Sequence, residues 1–101
     1  MECRVKRLVL DIMKLRRDHP LHEFALCLGS IPNVEEAKVS LVEMDQETES
    51  VKVTLEGEDV DVEVVQQLMK DHGATIHSID EVVVVKEIDN LTHGVKRGKN
   101  R

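Results

Sequence analysis

Residues 4 to 13, RVKRLVLDIM, put Leu8, Leu10 and Ile12 on one side of an extended chain and Val9, Asp11 and Met13 on the other. This period of two marks a strand, and further along the chain it gives way to a helical period and returns. That succession of periods constrains the fold more than any single motif. Asp18 and His19 offer an N-cap with Pro20 at the first helical position, and Leu21, Phe24, Ala25 and Leu28 then recur at helical spacing up to Gly29. Pro32 and Asn33 turn the chain, after which Ala37, Val39 and Leu41 alternate with Lys38, Ser40 and Val42. The tip DQET, Asp45 to Thr48, joins this strand to a third in which Val51, Val53 and Leu55 alternate with Lys52, Thr54 and Glu56. Asp59 is the expected cap of a second helix with an inner stripe of Val62, Val65, Leu68, Met69 and His72, which Gly73 stops. Residues 75 to 86 close the series as a fourth strand.

The order βαββαβ predicts an α+β, ferredoxin-like sandwich: a four-stranded antiparallel sheet with its first and third strands central and two helices on one face. A chain of 101 residues holds one such domain, here residues 1–87, followed by a basic, mobile C-terminal tail over residues 88–101. The second sheet face has no layer of its own. Val9, Met13, Val42 and Met44 are expected there beside Asp11, Lys52 and Thr54, and the run Val82 to Val85 adds an apolar edge. A second copy of the chain is the expected cover, giving a homo-oligomer.

Composition narrows the function classes. The apolar residues are almost all Val, Leu, Ile and Met, with Phe24 the sole aromatic, so stacking surfaces for single-stranded nucleic acid are missing. Charge is segregated: residues 1–17 carry a net +4, residues 18–87 a net −13 and residues 88–101 a net +3. An acidic body repels phosphate and favours cations or basic partners, and the basic ends rank last as an RNA-binding feature. Cys3 and Cys27 have neither zinc nor redox spacing, and Cys27 reads as a small core residue. No apolar run has the length of a signal or membrane segment, so the expected location is cytoplasmic.

HSIDEV, His77 to Val82, fits no single strand phase. One phase buries Asp80 along with Ile76, and the other buries His77 and Glu81 along with Ile79. A β-bulge between His77 and Glu81 resolves the conflict and re-aims polar groups at the rim. Antiparallel pairing of the first and fourth strands then brings Asp11 beside His77 or Ser78, with Lys52 on its other side. Asp11, His77 and Asp80 are thus candidate ligands for a divalent cation, or an acid–base pair oriented by Asp11; a cross-strand ion pair of Asp11 with Lys52 is the structural alternative. The hairpin EMDQETE offers Glu43, Asp45 and Glu49 as oxygen ligands for Ca²⁺ or Mg²⁺, together with main-chain carbonyls. No phosphate loop, nucleophile elbow or zinc-protease motif occurs, which lowers the expectation of an enzyme.

The segments LVLDIMK (Leu8 to Lys14), VSLVEMDQETESVKVTLEGEDVD (Val39 to Asp61) and GATIHSIDEVVVVK (Gly73 to Lys86) resemble the archaeal family called domain of unknown function 211. The resemblance spans about residues 7 to 86, and VLD, EMDQETE and IHSIDEV are its most specific parts. It implies a ferredoxin-like fold, a small cytoplasmic protein and ring-like multi-subunit assemblies, and it implies no reaction. Asp11, Glu43, Asp45, Glu49, His77, Ser78 and Asp80 match the family's motifs without inheriting a role. KLRRDHP (Lys14 to Pro20) departs from the family's Lys-Pro-His by one extra residue.

The expected function is therefore that of a structural or interaction protein that associates with itself, with any divalent cation serving the interfaces. An ACT-like small-molecule-binding regulatory module is the alternative, although ACT-type sites use a glycine-containing turn after the first strand and KLRRDHP has none. A metal-dependent enzyme on Asp11 and His77 ranks below both.

Overall fold

Leu8, Leu10 and Ile12 are fully buried in the middle of β1 (Cys3–Leu15) in the computed structural model, which describes residues 3–86. The remaining elements are α1 (Leu21–Gly29), β2 (Val34–Met44), β3 (Thr48–Gly57), α2 (Val62–Asp71) and β4 (Thr75–Lys86). They form one antiparallel sheet in the order β2-β3-β1-β4, so β1 and β3 are central as the ferredoxin-like arrangement requires. The basic segment 88–101 lies outside the described residues.

Cross-strand partners share a face, and the register makes the core legible. Leu8, Leu10 and Ile12 stand opposite Leu55, Val53 and Val51, which in turn stand opposite Ala37, Val39 and Leu41. Phe24 and Leu28 of α1 and Val65 and Met69 of α2 join this face in the core, together with Ile31, Val60 and Ala74. Burying each of these large aliphatic side chains contributes about 1.5–3 kcal/mol, so a core almost without aromatics is still sufficient.

Both helix caps differ from expectation. Pro20, with ψ of 157°, is extended and occupies the N-cap position of α1 itself, while its carbonyl accepts from Phe24 N at 3.0 Å; no side chain caps this helix. Asp61, not Asp59, caps α2, accepting from Glu63 N at 3.0 Å and Val64 N at 3.4 Å. Asp59 instead accepts from Val5 N at 3.1 Å and ties the β3–α2 connection to β1. Gly73 takes φ of 71° just beyond α2, a conformation that glycine adopts without Cβ strain, and this ends the helix where expected. Gly57 is required for a different reason: a Cβ there would meet the Asn33 carbonyl.

The irregularity expected in HSIDEV is two bulges rather than one. Val9 pairs with Glu81 and Leu10 with Ile79, leaving Asp80 as an extra residue; Asp11 pairs with Ser78 and Ile12 with Ile76, leaving His77 as another. A third shift lies between Val5 and Arg7 on β1. Ile76, Ile79, Val82 and Val84 consequently stand opposite Ile12, Leu10, Leu8 and Val5, all on the helix side of the sheet. No uninterrupted period of two could place those four residues together.

Facing the helix side does not bury them all. Ile76 packs against the core, but Ile79, Val82 and Val84 remain 45%, 48% and 53% exposed. Lengths explain this: the ten residues of α2 span about 15 Å, whereas the twelve residues of β4 extend about 40 Å. Among the described residues, a helix of this length covers only part of the edge strand.

Candidate functional site

β4 is an edge strand that is apolar on both sides. Val83 and Val85 stand opposite Arg7 and Arg4 on the face away from the helices, and with Ile79, Val82 and Val84 they expose five neighbouring aliphatic groups. Edge strands ordinarily carry charges, prolines or covering loops that deter pairing. The opposite edge, β2, mixes Glu35, Glu36, Lys38 and Glu43 with exposed Leu41, Val42 and Met44. Along β4, only Asp80 and Glu81 are charged between Ile79 and Lys86.

The open sheet face is more polar than expected. Arg7 reaches Glu56 Oε2 through Nη1 at 3.0 Å, and its Nε lies 3.0 Å from Glu81 Oε2, so one guanidinium spans three strands. The second of these is an ion pair without hydrogen-bond alignment. Val9, expected to be exposed here, is buried at 3% between its cross-strand partners Thr54 and Glu81. Met13, Val42 and Met44 do remain exposed. Arg4 and Lys6 both pair with Glu58, so part of the basic N-terminal charge is answered by the acidic body within one chain.

Asp11 stands where the register places it, opposite Lys52 on β3 and Ser78 on β4. It forms no ion pair with Lys52. Ser78 donates its hydroxyl hydrogen to Asp80 Oδ1 at 2.7 Å, and His77 is exposed at the neighbouring bulge. At the hairpin, Asp45 N donates to Thr48 O at 2.8 Å and closes the expected turn. Arg16 Nη1 donates to the carbonyls of Asp45 at 3.0 Å and Gln46 at 3.3 Å, main-chain oxygens of the kind a cation at the tip would use. Glu43 follows the bulge at Val42 and is exposed, whereas Glu49 is engaged by Lys14 Nζ at 2.8 Å. Among the described residues, no three His, Cys, Asp or Glu side chains converge as ligands for one cation.

Two side-chain clusters have no signature in the sequence. Lys14 is 4% exposed and turns inward with Glu49 beside Phe24. Cys27 Sγ lies 3.2 Å from His72 Nε2, and His72 Nδ1 lies 3.2 Å from His19 Nε2. Cys27 is half-buried rather than a core residue. These groups are dispersed along the chain and meet only when the C-terminal end of α2 packs beside α1, so no local spacing announces them.

Comparison with known proteins places the chain. The family model for domain of unknown function 211, described as an uncharacterised ArCR family, matches residues 6–96. The chain belongs to this family. Its match to the family runs past the end of β4 at Lys86, further than the motifs alone reach. An uncharacterised protein of Methanocaldococcus jannaschii is 43% identical over 84 residues, covering 83% of this chain and 86% of that protein. Among the described residues, no helix is long and apolar enough to cross a membrane.

Proposed function

We propose that this protein is a self-associating interaction module in which β4 is the docking element. The observation that carries this reading is the β4 edge, unpaired among the described residues, with Ile79, Val82, Val83, Val84 and Val85 exposed. A second copy aligned along β4 satisfies the unpaired backbone groups and removes these aliphatic side chains from water in one step. The two sheet edges differ in character, so pairing of β4 with β4 gives a closed dimer, while pairing of β4 with β2 propagates and closes as a ring. Ca²⁺ or Mg²⁺ enters such an assembly between copies, with Glu43 and Asp45 from hairpins brought together or Asp11, His77 and Asp80 at the bulges supplying ligands; Glu49 joins only by leaving Lys14.

The regulatory alternative receives less support at the turn after β1, where an ACT-type site would lie. The cleft beside the β1–α1 connection, lined by Leu15, Arg16, Arg17, Gln46 and Glu47, measures about 180 Å³. Small-molecule sites usually measure about 300–1,000 Å³.

The test is light scattering after size exclusion on the wild type and on Val84→Lys. Val84 is half exposed, so lysine there leaves the fold intact while placing a charge on the edge. Self-association through β4 predicts a multimer for the wild type and a shift toward monomer for the variant; an unchanged mass excludes this strand as the interface.

A further inference from the structure

A cleft of about 380 Å³ opens between α1 and the C-terminal end of α2, lined by His19, Glu23, Phe24, Leu26, Cys27 and His72. Its polar groups form a row. Cys27 Sγ is 3.2 Å from His72 Nε2, His72 Nδ1 is 3.2 Å from His19 Nε2, and His19 Nδ1 is 3.9 Å from Glu23 Oε1. The two imidazoles meet edge to face, with centroids 5.1 Å apart.

The row has a direction. If the thiol donates to His72 Nε2, then His72 Nδ1–H donates to His19 Nε2, and His19 Nδ1–H faces the Glu23 carboxylate. The reverse assignment would turn the lone pair of His19 Nδ1 toward that carboxylate. The favoured arrangement leaves His72 Nε2 free to take the proton from sulfur, with positive charge on the imidazole answered through His19 by Glu23. This is the relation of nucleophile, base and orienting group that activates a thiol.

We propose that Cys27 is a nucleophilic acyl-acceptor site, activated by His72, for activated esters or thioesters with a short apolar acyl chain. Phe24 and Leu26 supply apolar walls, and Glu23 at the rim disfavours anionic substrates. In the step, Sγ attacks the acyl carbonyl carbon as its proton passes to His72 Nε2. The bond from carbon to the leaving oxygen or sulfur then breaks, and the leaving group departs as an alcohol or thiol with the proton returned from His72. The products are an acylated Cys27 and neutral His72, with no change in oxidation state. Desolvation raises the Cys27 thiol above its ordinary pKa, which fits a protonated resting thiol that needs a base at the moment of attack. His19 acts as a positioning residue through His72.

Cys3 is exposed in the same chain and serves as the internal control. The full-length protein is treated with p-nitrophenyl butyrate, and acylation at each cysteine is followed by peptide mass spectrometry. Cys27, although less exposed, is expected to acylate at least about tenfold faster than Cys3, since general-base assistance contributes about 10²–10⁴-fold. His72→Gln is expected to remove that advantage while leaving Cys3 unchanged. His19→Gln, which keeps a hydrogen-bond acceptor for His72 Nδ1–H, is expected to retain more of the rate than His19→Leu. Acylation of wild-type Cys27 no faster than Cys3 overturns the proposal without reliance on any variant, as does an undiminished rate in a folded His72→Gln protein.

Discussion

Lys14 Nζ donates to Glu49 Oε1 at 2.8 Å in a site from which water is nearly excluded, the two side chains being 3% and 14% exposed. The ammonium also donates to Leu15 O at 3.2 Å and lies 5.9 Å from the centroid of the Phe24 ring. The pair holds the far ends of β1 and β3 together just before the hairpin tip that Arg16 clasps. Removing one partner strands the other's charge. Glu49→Leu is expected to destabilise the fold by about 3 kcal/mol, whereas Lys14→Met combined with Glu49→Leu recovers most of that loss, because an apolar pair suits such a site. Urea denaturation of the two variants checks this, and equal destabilisation in both would contradict it.

Asp61 accepts two backbone N–H groups at the start of α2, and Asp61→Ala is expected to cost about 1 kcal/mol through loss of that cap. Thermal or chemical denaturation reads the difference directly. No measurable loss would mean that α2 is held by its packing alone.

Asp80 is the surplus residue of a bulge between the pairs Val9–Glu81 and Leu10–Ile79. Its deletion joins those two pairs into a regular ladder without moving Ile79 or Val82 to the other face. The deletion variant is therefore expected to fold with a loss under about 2 kcal/mol, within the range of ordinary single changes. Unfolding of this variant would show that the bulge itself, and not only the register on either side of it, is needed.

Burial favours the neutral Cys27 thiol and raises it above the ordinary 9.0. The unfolded chain therefore loses this proton first as pH rises. The contribution is complete below the unfolded value and disappears as pH climbs through the raised folded value. Between about pH 8 and about pH 10, the wild type should lose more melting temperature than Cys27→Ala. Parallel losses in the two proteins would remove this group from the alkaline transition.

The physical reason for what the sequence revealed lies in the range of each interaction. Alternation of Leu8, Leu10 and Ile12, and of Val51, Val53 and Leu55, is local and survives to the structure unchanged, which is why strand order and core were legible. The phase conflict in HSIDEV was also local, and it announced an irregularity; the number of bulges depended on β1 as partner. The α2 cap was less legible: Asp59 was the expected cap, but its carboxylate is taken by Val5 N from β1, and Asp61 caps the helix instead. Cys27, His72 and His19 are joined by helix packing across the fold, as Lys14 and Glu49 are by strand pairing. Such meetings leave no periodic trace.

Self-association is tested most directly by native mass spectrometry of the full-length protein, purified without chelator and measured again after chelation. A defined multimer is the predicted result, with any divalent cation present in a fixed ratio to copies and lost after chelation. A metal-free monomer at every concentration would contradict the proposal that β4 is a docking edge.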